Sequence, residues 1–81
     1  MRGIIIEVNY KRGLVIFEDE TGDYGCFEML GKDDLEKDDV IIGDLHSLGR
    51  KIIIKDSTKE KYDVFIEDWG MSLNIARKQI H

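Results

Sequence analysis

Short runs rich in Ile, Val, Phe and Tyr alternate with polar, glycine-marked segments along the chain, the pattern of pleated, half-buried strands. They predict strands over Gly3–Tyr10, Leu14–Asp19, Tyr24–Leu30, Val40–Leu45, Lys51–Lys55 and Tyr62–Asp68. Lys11-Arg12-Gly13, Glu20-Thr21-Gly22-Asp23 and Asp56–Lys61 read as the turns of three hairpins, with glycine free to take a positive φ. Gly31–Asp39 is polar and acidic, and Asp33-Asp34-Leu35-Glu36 suits one short helical turn. After Ser72 the period changes: Leu73, Ala76 and Ile80 recur at helical spacing, Ser72 can cap the start, and Arg77 and Lys78 suit the last turn. A two-turn helix is marginal alone and must dock through its apolar side. Six strands plus a docked helix predict a mainly β fold, a small antiparallel β-barrel of five to six strands with a short C-terminal helix. Closure also removes the exposed edges of a flat sheet.

Strict alternation from Tyr24 puts Tyr24, Cys26 and Glu28 on one face and Gly25, Phe27 and Met29 on the other. Glu28 needs water, so Phe27 is expected in the core. Tyr10 and Tyr24 are then the expected exposed aromatics.

Composition narrows the class. The chain has 81 residues, 42% of them hydrophobic and 36% charged, room for one domain with one small core. A single cysteine, Cys26, excludes an internal disulfide and a cysteine zinc site. No charged-then-apolar leader precedes the first strand-like run, so the expected compartment is the cytoplasm and no membrane partner is expected. The net charge of −5 is the wrong sign for a general grip on nucleic acid. Its placement is uneven: residues 1–17 sum to +2, residues 18–44 to −9 and residues 45–81 to +2. Two readings follow, a solvated acidic surface or a polarised molecule whose basic edge meets an acidic partner.

Catalytic patterns are missing. His46 has only Ser47 beside it and reads as a surface-loop residue. Glu18-Asp19-Glu20 alternates across the strand faces, which spoils a paired-carboxylate site. Asp33-Asp34 with Asp38-Asp39 lacks the glycine and closing glutamate of a calcium loop. Cys26 has no His nearby and reads as an inert thiol. No enzyme, cofactor or metal site is expected. Trp69, just before the helix, reads either as a plug that seals the helix junction or as an exposed anchor for a partner.

The first half of the chain resembles the cold-shock domain, a member of the OB-fold class. The likeness is carried by Met1-Arg2-Gly3, Asn9, Lys11-Arg12-Gly13, Glu18, Gly22, Phe27 and Leu35-Glu36-Lys37-Asp38-Asp39-Val40. It implies a single cold-shock-like domain over residues 1–81, with 56–81 as an added strand and helix. It also implies binding of single-stranded RNA or DNA by aromatic stacking. Glu7, Leu14, Ile16, Met29 and Leu30 stand where that family keeps aromatics or histidine. The resemblance therefore implies only weak nucleic-acid binding, with Lys11 and Arg12 for phosphate and Tyr10 and Tyr24 for stacking. The alternative is a protein-interaction module that uses Leu14, Ile16 and Trp69. On the resembled register, Leu14 and Ile16 either lie under the C-terminal helix or form an exposed apolar patch.

Overall fold

The computed structural model describes residues 1–81. Six strands form in chain order: β1 (Arg2–Asn9), β2 (Leu14–Asp19), β3 (Tyr24–Met29), β4 (Val40–Ile42), β5 (Gly49–Lys55) and β6 (Lys61–Met71). One helix, α1 (Leu73–Ile80), follows. The strands close into a barrel in the order β1-β2-β3-β6-β5-β4, with every pair antiparallel. The fourth strand returns to lie beside the first, which is Greek-key connectivity. Six closed strands take the chain beyond the five-stranded, partly open OB pattern.

Alternation decides the interior. Ile5, Val15, Phe17, Phe27, Ile41, Ile53, Val64 and Ile66 point inward and are fully buried, with Phe17 and Phe27 stacked at 5.9 Å. Phe27 is thus in the core, as the burial cost of Glu28 requires. Gly25 lets the barrel close tightly, because a Cβ there would sit 2.3 Å from the Phe17 ring and 2.8 Å from the Asp68 carbonyl. A bulge at Ile6 shifts the β1 register between Ile5 and Glu7, and turns Glu7 outward toward α1.

The segment after β3 corrects one expectation. Residues 31–36 form no helical turn; they cross one end of the barrel. Leu35 is fully buried and plugs that end, where one apolar side chain outweighs a weak local helical preference. Tyr10 and Tyr62 pin the crossing, their hydroxyls donating to the Leu35 carbonyl and Asp34 Oδ1, each at 2.7 Å. At the other end β4 stops at Ile42 instead of Leu45, because the chain leaves the ladder to drop Leu45 into the barrel mouth.

Helix α1 forms as its spacing predicts. Ser72 Oγ accepts from Ile75 N at 3.3 Å. Ala76 and Ile80 are buried, with Leu73 partly so, and they cover Ile16, Cys26 and Met71 on the outer wall of β2 and β3. The far end of the helix is tied back to β1: Asn9 Nδ2 donates to the Ile80 carbonyl, and Arg77 and His81 both contact Glu7.

Candidate functional site

The residues expected to stack on nucleic acid do not share a surface. Tyr10, Lys11 and Arg12 are exposed at the β1–β2 turn, Tyr10 to 56%. Tyr24 lies at the opposite end of the β2–β3 ladder, paired with Glu18, about four strand positions or roughly 13 Å away. It is not an exposed platform, since it packs half-buried against the cluster beneath α1. Leu14 is half-buried there and Ile16 completely so. Of the two fates open to these aliphatics, covering by the helix is the one realised. Ile16 is out of reach of any partner while α1 is docked.

Two shallow clefts flank the helix. One, of about 420 Å³, is lined by Arg12, Leu14, Cys26, Glu28, Glu67 and Gln79. The Cys26 thiol closes its floor by donating to Gln79 Oε1 at 2.9 Å. Burial, then the charges of Asp68 and Glu67, push that thiol up to about 11, so the unreactive reading of Cys26 agrees with its surroundings. The other cleft, about 400 Å³, has an apolar floor of Ile6 and Val8 under Tyr10, with Lys37 and Arg77 at its rim. Arg77 is already engaged by Glu7 at 3.1 Å. The Tyr10 hydroxyl is held above its usual range by burial and by Glu36, Asp39, Asp33 and Asp34, an acidic surround that repels phosphate.

Trp69 does not seal the helix junction. It is 40% exposed and stacks on His46, with centroids 4.5 Å apart and planes 13° from parallel. Met71, the residue buried at the junction, takes the sealing role. A bulge between the Cys26 and Tyr24 rungs, with Gly70 at φ 72°, turns Trp69 away from the helix. His46 is likewise more than a loop residue. Its Nε2 lies 2.5 Å from Asp19 Oδ2, and the Asp19 side chain has no solvent exposure. Asp19 Oδ1 also accepts from Thr21 N at 2.8 Å and from Thr21 Oγ at 2.5 Å. Burial pushes the Asp19 carboxyl up, but the bonds from Thr21 and His46 together outweigh it and hold the group below its ordinary value. This latch joins the β2–β3 turn, the β4–β5 loop and the end of β6. The sequence holds no signal for it, because the partners stand 27 and 23 positions apart in unlike segments.

The outer wall opposite the helix carries a surface that strand reading alone did not isolate. Ile4 and Val40 face each other across β1 and β4, and Ile42 faces Ile54 across β4 and β5. Ile52 lies one outward step along β5, and Phe65 one further rung across on β6. Ile4, Ile42, Ile52 and Phe65 are 42%, 36%, 56% and 41% exposed, while Val40 and Ile54 are half-buried. The signal was present in retrospect: Ile52-Ile53-Ile54 and Val40-Ile41-Ile42 are apolar on both faces, which a barrel strand with a solvated outer face does not need.

No cluster of His, Cys, Asp and Glu side chains is disposed to hold a metal ion, and no helix is long and apolar enough to cross a membrane. No protein-family model, curated protein or solved structure matches the chain.

Proposed function

We propose that this barrel is a protein-interaction module rather than a catalyst, and that it works through the aliphatic stripe on β1, β4, β5 and β6. The observation that carries the reading is the contrast between the two outer walls. The β2–β3 wall is sealed by α1, whereas the opposite wall leaves Ile4, Val40, Ile42, Ile54 and Ile52 at adjoining positions, exposed or half-buried, with exposed Phe65 beyond the Arg50–Asp63 ion pair. Large apolar side chains gathered on one face are the usual mark of a contact surface. A buried, unreactive thiol fits the cytoplasmic setting suggested by the sequence.

A native-state dye titration tests it. Dilute folded protein should bind the apolar probe anilinonaphthalene sulfonate, and Ile42→Glu should remove most of that binding at unchanged melting temperature. Equal dye binding by the two proteins counts against the stripe.

Weak binding of single-stranded RNA or DNA is the second reading, favoured by exposed Tyr10 beside Lys11, Arg12 and the cleft cation Lys37. With two or three such contacts the log–log salt slope is expected near −1.5 to −2. Labelled oligonucleotides titrated at two salt concentrations measure it. Binding tighter than about 1 μM at physiological salt would move nucleic acid to first place.

A further inference from the structure

We propose that the open edge of β5 at Arg50–Ile52 takes up an extended segment of a partner protein, which adds to the barrel as a further strand. The proposal rests on the interaction reading and deepens it by naming the kind of partner.

The edge follows from the strand lengths. β4 has three residues and β5 seven, and the two pair only at Ile41–Lys55 and Ile42–Ile54. Hydrogen-bond direction alternates along a strand, and bonds at the hairpin turn fix it here. Lys55 N donates to the Glu60 carbonyl at 2.9 Å, so Lys55, Ile53 and Lys51 turn their main-chain groups toward β6. Asp56 N donates to the Val40 carbonyl at 2.8 Å, so Ile54, Ile52 and Arg50 turn theirs toward β4. Ile54 finds Ile42 there, but Ile52 and Arg50 face a place that β4 has left. Gly43 marks the departure: a Cβ on it would lie 2.9 Å from the Ile53 side chain and 3.4 Å from the Ile52 carbonyl. Past Gly43 the chain turns in to bury Leu45, and the Ile52 N–H and the Arg50 N–H and carbonyl have no partner within the protein. Three main-chain groups at this spacing are matched by another extended main chain. β5 has neither proline nor bulge, two of the devices that blunt an edge.

The residues on the edge disfavour a second copy of this chain. Two antiparallel two-fold registers centre on the open length. One sets Lys51 opposite Lys51 and the other Arg50 opposite Arg50, like charges at directly opposed positions. A different chain meets no such restriction. On the outer face Ile52 is 56% exposed and continues the row of Ile42 and Ile54, so an aliphatic residue set beside Ile52 lengthens the stripe. On the inner face the added strand lies beside Lys51, whose ammonium has Asp44 at 3.9 Å, and an uncharged polar residue suits that position. The segment is therefore extended, with aliphatic and uncharged polar residues in alternation.

The capped peptide Thr-Val-Thr-Val-Thr is the probe, followed by amide NMR of the full chain. In the free protein the Arg50 and Ile52 amides should exchange at least about tenfold faster than those of Lys51 and Ile53, which donate to β6. The peptide should bind with a dissociation constant on the order of 1 mM and shift the Arg50 and Ile52 amides most. The same peptide N-methylated at both valines keeps its side chains but loses the donors that face Arg50, and should bind at least about tenfold more weakly. Ile52→Pro removes the free N–H at a site where an edge strand tolerates proline, and should weaken binding by a similar factor. Thermal melts control for the folding of that variant, and the N-methylated peptide decides without it. Slow exchange at both Arg50 and Ile52, or no response to the peptide at about five times that concentration, overturns the added strand. Equal binding of the two peptides overturns it as well but leaves the interaction reading standing, because side chains alone then make the contact. Dye binding lost in Ile42→Glu without any peptide response has the same consequence. Failure of both dye and peptide removes both.

Discussion

Asp19 shows how one buried charge is made tolerable and what that costs. Its carboxylate has no contact with water but accepts three hydrogen bonds, two from Thr21 and one from His46. Its folded value lies below its unfolded value, so its contribution is fully present above about pH 4 and fades as the pH falls through the folded value. Asp19→Asn should cost about 1.5–3 kcal/mol at pH 7, with the gap to wild type closing in acid. Urea melts at several pH values check it, and a gap that stays constant down to pH 2 refutes the linkage. The stack on His46 fixes a smaller figure for Trp69. A half-exposed ring on one partner is worth about 0.5–1.5 kcal/mol beyond its area, so Trp69→Ala should cost clearly less than the roughly 3 kcal/mol of a fully buried ring. Gly25 is the opposite case. Even a methyl group there meets the Phe17 ring, and Gly25→Ala should destabilise by about 1–3 kcal/mol in the same melts.

At the scale of elements, α1 behaves as the outer wall of β2 and β3. Its eight residues are too few to persist without the apolar contacts of Leu73, Ala76 and Ile80. A chain ending at Gly70 should therefore be less stable than the full chain, and the Cys26 thiol should lose its cover. Alkylation at pH 8 reads this directly: slow in the intact protein, where the thiol lies near 11, and at least about tenfold faster in the truncated one. Equal rates would mean that the helix shields nothing.

The strands and this helix were legible in the sequence because each depends on a local period. The β6 extension to Met71 was not, since the strand continues through a bulge that only Gly70's left-handed backbone permits. Nor was the early end of β4, because dropping Leu45 into the barrel mouth is a tertiary gain invisible in a run of alternating residues. The candidate site was read least well. Burial of Phe27 followed from Glu28, but nothing near Tyr24 or Ile16 tells which wall a distant helix will cover. The partners of His46 and Asp19 are likewise set by closure of the sheet rather than by spacing.

For the molecule as a whole, the uneven charge of the sequence becomes a set of cross-links rather than a basic edge. The acidic stretch meets the basic C-terminal half through Asp39–Lys55 at 3.5 Å, Asp44–Lys51 at 3.9 Å and Asp19–His46 at 2.5 Å. Most such surface pairs contribute little singly, so high salt should leave the melting temperature nearly unchanged.

The place of β6 in the ladder also sets a timetable. It is the one strand that pairs with both β3 and β5, and it is the last to be synthesised. Until residues 61–71 have left the ribosome, β3 and β5 each offer a free edge, flanked by the aliphatic Ile52, Ile53 and Ile54 on β5 and by Phe27 and Met29 on β3. Those edges can recruit another nascent chain as readily as their own missing strand. The folded barrel has no open seam there, so that hazard is confined to the interval of its making. Slowing translation just before β6 should raise the insoluble fraction without changing the stability of the molecules that do close.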